Sequence, residues 1–186
     1  MRTAVLDACV LYPAPLRDFF MRLAVKLYQP KWTEQIHEEW VRNVLEDRPD
    51  LTRSQLSRTR ELMNRHGGAC LVTGYEPLIA SLTLPDANDR HVLAAAITAA
   101  APVIVTFNLK DFPRLILSAH GVQAVHPDEF ALSLYDADPE QFVALVKIHR
   151  QSLVTPPKSP EGYLETLSGC GLKKIALRLG LRLSEI

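Results

Sequence analysis

The chain has 186 residues, 47% of them hydrophobic, with 21 basic and 21 acidic side chains and a formal net charge of zero. That is ample apolar material for one cored domain, alone or with a small appendage, and the charge content is too ordinary for a disordered or fibrous chain. Neutrality argues against capture of nucleic acid by bulk charge, although a local basic rim remains open to it.

The first predicted element is a strand around Thr3–Leu6, with Val10 and Leu11 beyond Asp7; a short apolar run of this kind suits a strand buried on both faces of a parallel sheet. Its apolar stretch is too short, and too soon interrupted by Asp7, for a secretory signal. No run in the chain reaches the roughly 18 apolar residues that span a bilayer, so a cytoplasmic protein is expected. Pro13 and Pro15 stop the strand, and Leu16, Phe19, Phe20, Leu23 and Leu27 repeat at helical spacing, with Arg17, Arg22 and Lys26 off that stripe. After Pro30, Thr33 is a candidate N-cap for a helix with Ile36, Trp40, Val44 and Leu45 on its apolar face. A more polar helix is expected over 54–65, and a strand over 69–73.

Asp86 opens DANDRHVLAAAITAAA, a strong helix pattern closed by Pro102, and VIVTF (103–107) is the clearest buried strand. A short helix at 113–119 and a small strand, VQAV, follow. Strands alternating with helices predict an α/β fold with a mainly parallel sheet. Beyond residue 126 the pattern is helical only: Asp138-Pro139 opens one helix to about 151, TPPKSP is a turn, and two short helices flank 169–171. The expected division is 1–126 for the α/β domain and 127–186 for a helical C-terminal extension.

Ligands of an open parallel sheet bind outside the carboxyl ends of its strands. Asp7 follows the first strand and Thr106–Asp111 (TFNLKD) follows the strand at 103–105, so polar groups from both reach one edge. Asp86 and Asp89 add acids at a helix start, where ordinary capping is the competing reading. Glu38 and Glu39 lie on the helix after Thr33; a solvated face suits both, but Glu39 is about 60° from Ile36 and could face the edge. Like charges about 5 Å apart repel by about 3 kcal/mol per pair at an effective dielectric of about 20, so a cluster of Asp7, Glu39, Asp89 and Asp111 needs a cation or protons. An all-oxygen donor set favours Mg²⁺ or Mn²⁺, which suits phosphodiester hydrolysis by a water. Cys9, Cys70 and Cys170 are isolated, and neither CxxC nor HExxH occurs, which argues against a disulfide framework or zinc.

VLDACVLYP resembles the opening strand of PIN domains, TEQIHEEWVRNVLE their acidic helix, and LPDANDRHVLAAAITAAAPVIVTFNLKDFP their stretch D-x-x-D-x-x-x-L-A-x-A followed by a strand ending in T-x-N-x-x-D-F. The resemblance covers residues 1–126 and implies a PIN-like fold, a parallel sheet with helices on both faces, and a ribonuclease of the VapC toxin type that uses Mg²⁺ or Mn²⁺. It implies catalytic roles for Asp7, Glu39, Asp89 and Asp111, with Asp86 and Asn108 as further metal-side candidates and Thr106 in support. Asn108 stands where many such toxins carry Asp, which leaves the fourth acid between Asn108 and Asp111. The implied partners are an RNA substrate and a cognate antitoxin protein, with a homodimer admitted; Arg17, Arg22, Lys26 and Arg90 are the candidate RNA contacts. The helical tail resembles an extension of some VapC-like proteins.

Two other PIN readings stand beside this one: a catalytically inactive RNA- or protein-binding module, and a nuclease of RNA processing. A receiver-like phosphoacceptor lacks its acidic pair and its Lys. LKKIALRLGLRLSEI also has the look of a DNA-binding helix-turn-helix, although its apolar positions suit simple packing.

Overall fold

A computed structural model describes residues 2–186. Four short strands, β1 (Arg2–Leu6), β2 (Tyr28–Lys31), β3 (Val103–Val105) and β4 (Gln123–Val125), form one sheet in the order β2-β1-β3-β4, every pair parallel. Ala4, Val5, Leu6, Ile104 and Val105 are fully buried, as strands covered on both faces require. The chain leaves β1 and β3 toward opposite edges of the sheet, which for the usual right-handed connection puts helices on opposite faces.

Between β1 and β2 lie α1 (Ala8–Leu11) and α2 (Ala14–Ala24); α3 (Glu34–Asp47), α4 (Arg53–His66), α5 (Glu76–Ile79) and α6 (Arg90–Thr98) separate β2 from β3, and α7 (Arg114–Ser118) joins β3 to β4. Three local expectations are corrected. Val10 and Leu11 belong to α1, because Asp7 accepts the Ala8 N–H at 2.6 Å and turns the chain into a helix. The segment 69–73 makes only an isolated bridge between Trp32 and Leu71. The second strand is instead Tyr28–Lys31, whose Pro30 is tolerated because β2 is an edge strand.

The tail is helical throughout, with α8 (Pro127–Ala137), α9 (Pro139–Ser152), α10 (Pro160–Gly169) and α11 (Lys173–Gly180). It shares the sheet's core. Phe130 meets Tyr28 edge-on at 5.1 Å, and Phe142 meets Phe19 of α2 at 6.1 Å. Asp128, only 4% exposed, accepts the backbone N–H groups of Lys174 and Ile175 at 2.8 and 2.9 Å and so caps α11 from α8. Among the described residues no helix is long and apolar enough to cross a membrane.

Candidate metal and nuclease centre

The connections from β1 and β3 part at the carboxyl ends of these neighbouring strands, the point where open α/β sheets place ligands. Asp7 and Thr106 stand there. The ladder extends one step past each strand, with the Asp7 N–H donating to Val105 and the Thr106 N–H to Val125, both at 3.1 Å. Asp7 is 4% exposed and Thr106 fully buried. Burial of a carboxylate is costly without partners, and Asp7 has three. One oxygen takes the Ala8 N–H; the other takes the Thr106 hydroxyl at 2.6 Å and the Cys9 thiol at 3.1 Å. Thr106 in turn accepts the Asn108 N–H at 3.0 Å, tying the loop after β3 to Asp7.

Asp89 comes from the neighbouring loop. The segment from Asp86 is a 3₁₀ turn (Ala87–Asp89) leading into α6, not one helix from its first residue. This break separates the two acids. Asp86 is exposed and accepts the Asn88 N–H at 2.8 Å, an ordinary cap. Asp89 precedes α6 yet makes no side-chain cap bond. Its carboxyl is pushed up to about 6, first by burial and then by the negative charges of Asp7, Asp86 and Asp111, with His91 acting in the opposite sense. Carboxylates from three chain segments therefore act on one another here. Asp111 closes a 3₁₀ turn, Leu109–Asp111, and is half-buried, whereas Asn108 is exposed.

The two glutamates of α3 part company. Glu38 is exposed and paired with Arg53 at 3.0 Å and Arg60 at 2.6 Å on α4. Glu39 is 24% exposed and accepts from Nε2 of His91, 2.9 Å away and 2% exposed. His91 lies two residues beyond Asp89, so α3 and α6 are joined beside the acid edge. The His91 Nδ1 is buried without a partner.

The cations expected to line the site largely do not. Arg17 faces inward, 7% exposed, with its guanidinium 4.7 Å over the Trp40 ring and bonded to the Leu11 carbonyl at 2.8 Å; burial lowers its proton affinity. Cation–π stacking and a carbonyl partner explain how an arginine stays in that interface. Arg22 lies in the last turn of α2 and Lys26 beyond its end, where the chain has crossed to the opposite edge of the sheet before entering β2. Arg90, next to Asp89, stays at the acid edge; it is half-buried, with an unpartnered Nε.

His91 and Cys9 are the site neighbours that sequence reasoning missed. Each stands two residues after one of the candidate acids, in DRH and DAC. Only the fold turns them inward. The Cys9 sulfur also accepts the Phe107 N–H at 3.4 Å, and its thiol is pushed up to about 12 by burial and then by Asp7, so it serves as a neutral donor and not as a nucleophile.

The donor set is carboxylate oxygen, and the Asp89 carboxyl is pushed up by burial and by its acidic neighbours, so the residues fit a hard divalent ion. Among the described residues no three His, Cys, Asp or Glu side chains already close around one point.

A family model for the PIN domain matches residues 3–110, and one for the VapC50 C-terminal domain matches residues 127–180. A Mycobacterium tuberculosis protein named "Putative ribonuclease VapC50" is 40% identical over 94 residues, which are 50% of this chain and 55% of that protein. The chain thus spans about half the length of the curated relative it matches. No solved structure matches it.

Proposed function

The chain belongs to the PIN-domain family, and we propose that it is an Mg²⁺- or Mn²⁺-dependent endoribonuclease acting as the toxin of a VapBC-type pair. The observation that supports this reading is negative charge gathered at the sheet's switch point, where burial and then the charges of Asp7, Asp86 and Asp111 push the Asp89 carboxyl up to about 6. The similarity to a protein named as a ribonuclease supports the substrate class.

Asp7, Asp89 and Asp111 would hold the ion, with Asp86 and the Asn108 amide within the same loops. A divalent ion there supplies Lewis-acid stabilisation of charge on the phosphate. Asp7 cannot swing away, because Thr106, Ala8 and Cys9 all donate to it. Preorganised ligands of this kind cost no reorganisation during the reaction. Binding of the ion would displace the proton that Asp89 holds in the metal-free protein, leaving its carboxylate as a ligand. Glu39, fixed by His91, orients groups at the rim of the same edge.

The purified full chain should cleave single-stranded RNA with Mn²⁺ and lose that activity in chelator. RNA left intact with Mn²⁺ would instead favour a non-catalytic PIN module. Expression should arrest growth, and co-expression of a small adjacent antitoxin reading frame should relieve the arrest.

A further inference from the structure

We propose that Phe107 and His126, backed by the turn at Gly171, form a nucleobase subsite beside the acid edge, where one base of single-stranded RNA stacks next to the scissile phosphate. This rests on the RNA-hydrolysis reading and extends it to the tail.

Phe107 directly follows Thr106, the residue that donates to Asp7, and its own N–H donates to Cys9. The Phe107 ring meets His126 at 5.0 Å with the planes 83° apart. His126 follows β4 at the same carboxyl edge of the sheet. Its Nδ1 accepts the Asp128 N–H at 3.1 Å, which leaves Nε2 as the ring's free edge. Asp128 caps α11. The turn into α11 places Gly171, at φ +87°, so close that an added Cβ would lie 3.0 Å from the Phe107 ring. Glycine is required there both for that backbone angle and for that approach. The contacts close a ring from Phe107 through His126, Asp128 and α11 back to Phe107.

This ring fixes a large aromatic side chain from two sides and still leaves Phe107 and His126 only half-buried. Aromatic and imidazole rings in such positions take unstacked bases of single-stranded RNA. Charge offers little alternative. The net charge is zero, Arg17 is buried, and Arg22 and Lys26 lie toward the far edge; Arg90 and Lys110 are the cations beside the carboxylates, so stacking carries a large share of the affinity.

The test is binding of a short fluorescent single-stranded RNA to the full chain in chelator, with abasic nucleotides substituted one position at a time. Wild type should lose affinity sharply at one position and show a shallow salt dependence. Phe107→Leu keeps apolar contact with Gly171 and should weaken binding by about tenfold while becoming insensitive to the abasic substitution at that position. His126→Asn keeps a capping side chain, should weaken binding severalfold, and decides the matter if Phe107→Leu does not fold. Folded variants with wild-type affinity and an unchanged abasic profile would overturn the subsite while leaving the nuclease reading intact. Absence of any RNA binding by wild type would overturn the subsite, while the Mn²⁺ cleavage assay decides the nuclease reading separately.

Discussion

The acid edge and the helical tail treat their carboxylates in opposite ways. In the tail, negative charges are matched: Asp128 and Asp138 accept helix N–H groups, Glu129 meets Lys174, and Glu140 and Glu185 share Arg182. At the edge, burial and the negative charges of Asp7, Asp86 and Asp111 bear on Asp89, whose carboxyl is pushed up to about 6 with only His91 acting against them. Matched carboxylates serve the fold. Carboxylates kept in mutual repulsion weaken it, and are retained where a ligand is to supply the missing charge. Substitutions in the two regions should therefore separate stability from activity.

The largest effect belongs to the edge. Asp7→Asn and Asp89→Asn should each lower RNA cleavage by at least about two orders of magnitude, with circular dichroism and melting close to wild type. Asp128→Ala should do the reverse, removing two buried charge-assisted bonds and destabilising the protein by about 2 kcal/mol in denaturant titration. The kcat of its folded fraction should stay within about threefold of wild type, with any further loss appearing in KM, because Asp128 also caps the helix behind Phe107.

Glu39→Gln should lower cleavage by about tenfold, whereas Glu38→Gln should leave it within about twofold, because a lost exposed pair with Arg53 and Arg60 is worth about 1 kcal/mol or less in stability. Equal activities in the two variants would detach Glu39 from the site. A subtler effect follows from Asp89. Its folded-state pKa is raised from 3.8 to about 6, so between these values the folded protein binds more protons than the unfolded chain. Metal-free stability should therefore decline as pH rises from about 4 to 6, and this component should vanish in Asp89→Asn. Mn²⁺ affinity should rise over the same interval, as the ion ceases to compete with the proton.

The same contrast shows what the amino-acid order made legible. The α/β class, the parallel sheet and the helical tail follow from apolar periodicity, because VIVTF and the Ala-rich α6 pattern each fit one secondary structure. β2 was hidden because YQPK carries a proline and is too short for alternation to show. Asp7 and Asp89 were legible as a strand end and a helix start because local signals fix both. The Glu39–His91 pair joins residues 52 positions apart, and local patterning does not encode which of two adjacent glutamates meets a histidine on another helix. Arg17 was misplaced for a related reason: its register is off the stripe that faces the sheet, but α3 supplies a second buried surface in Trp40.

The most direct test of the acid edge as a metal centre is the melting temperature of the full chain with and without Mn²⁺, in wild type and in Asp7→Asn. An ion that binds the folded state and offsets the carboxylate repulsion should raise the wild-type midpoint by several degrees in a concentration-dependent way. Asp7→Asn should show almost none of that gain. A wild-type midpoint indifferent to Mn²⁺, or a gain that survives in Asp7→Asn, would contradict the assignment.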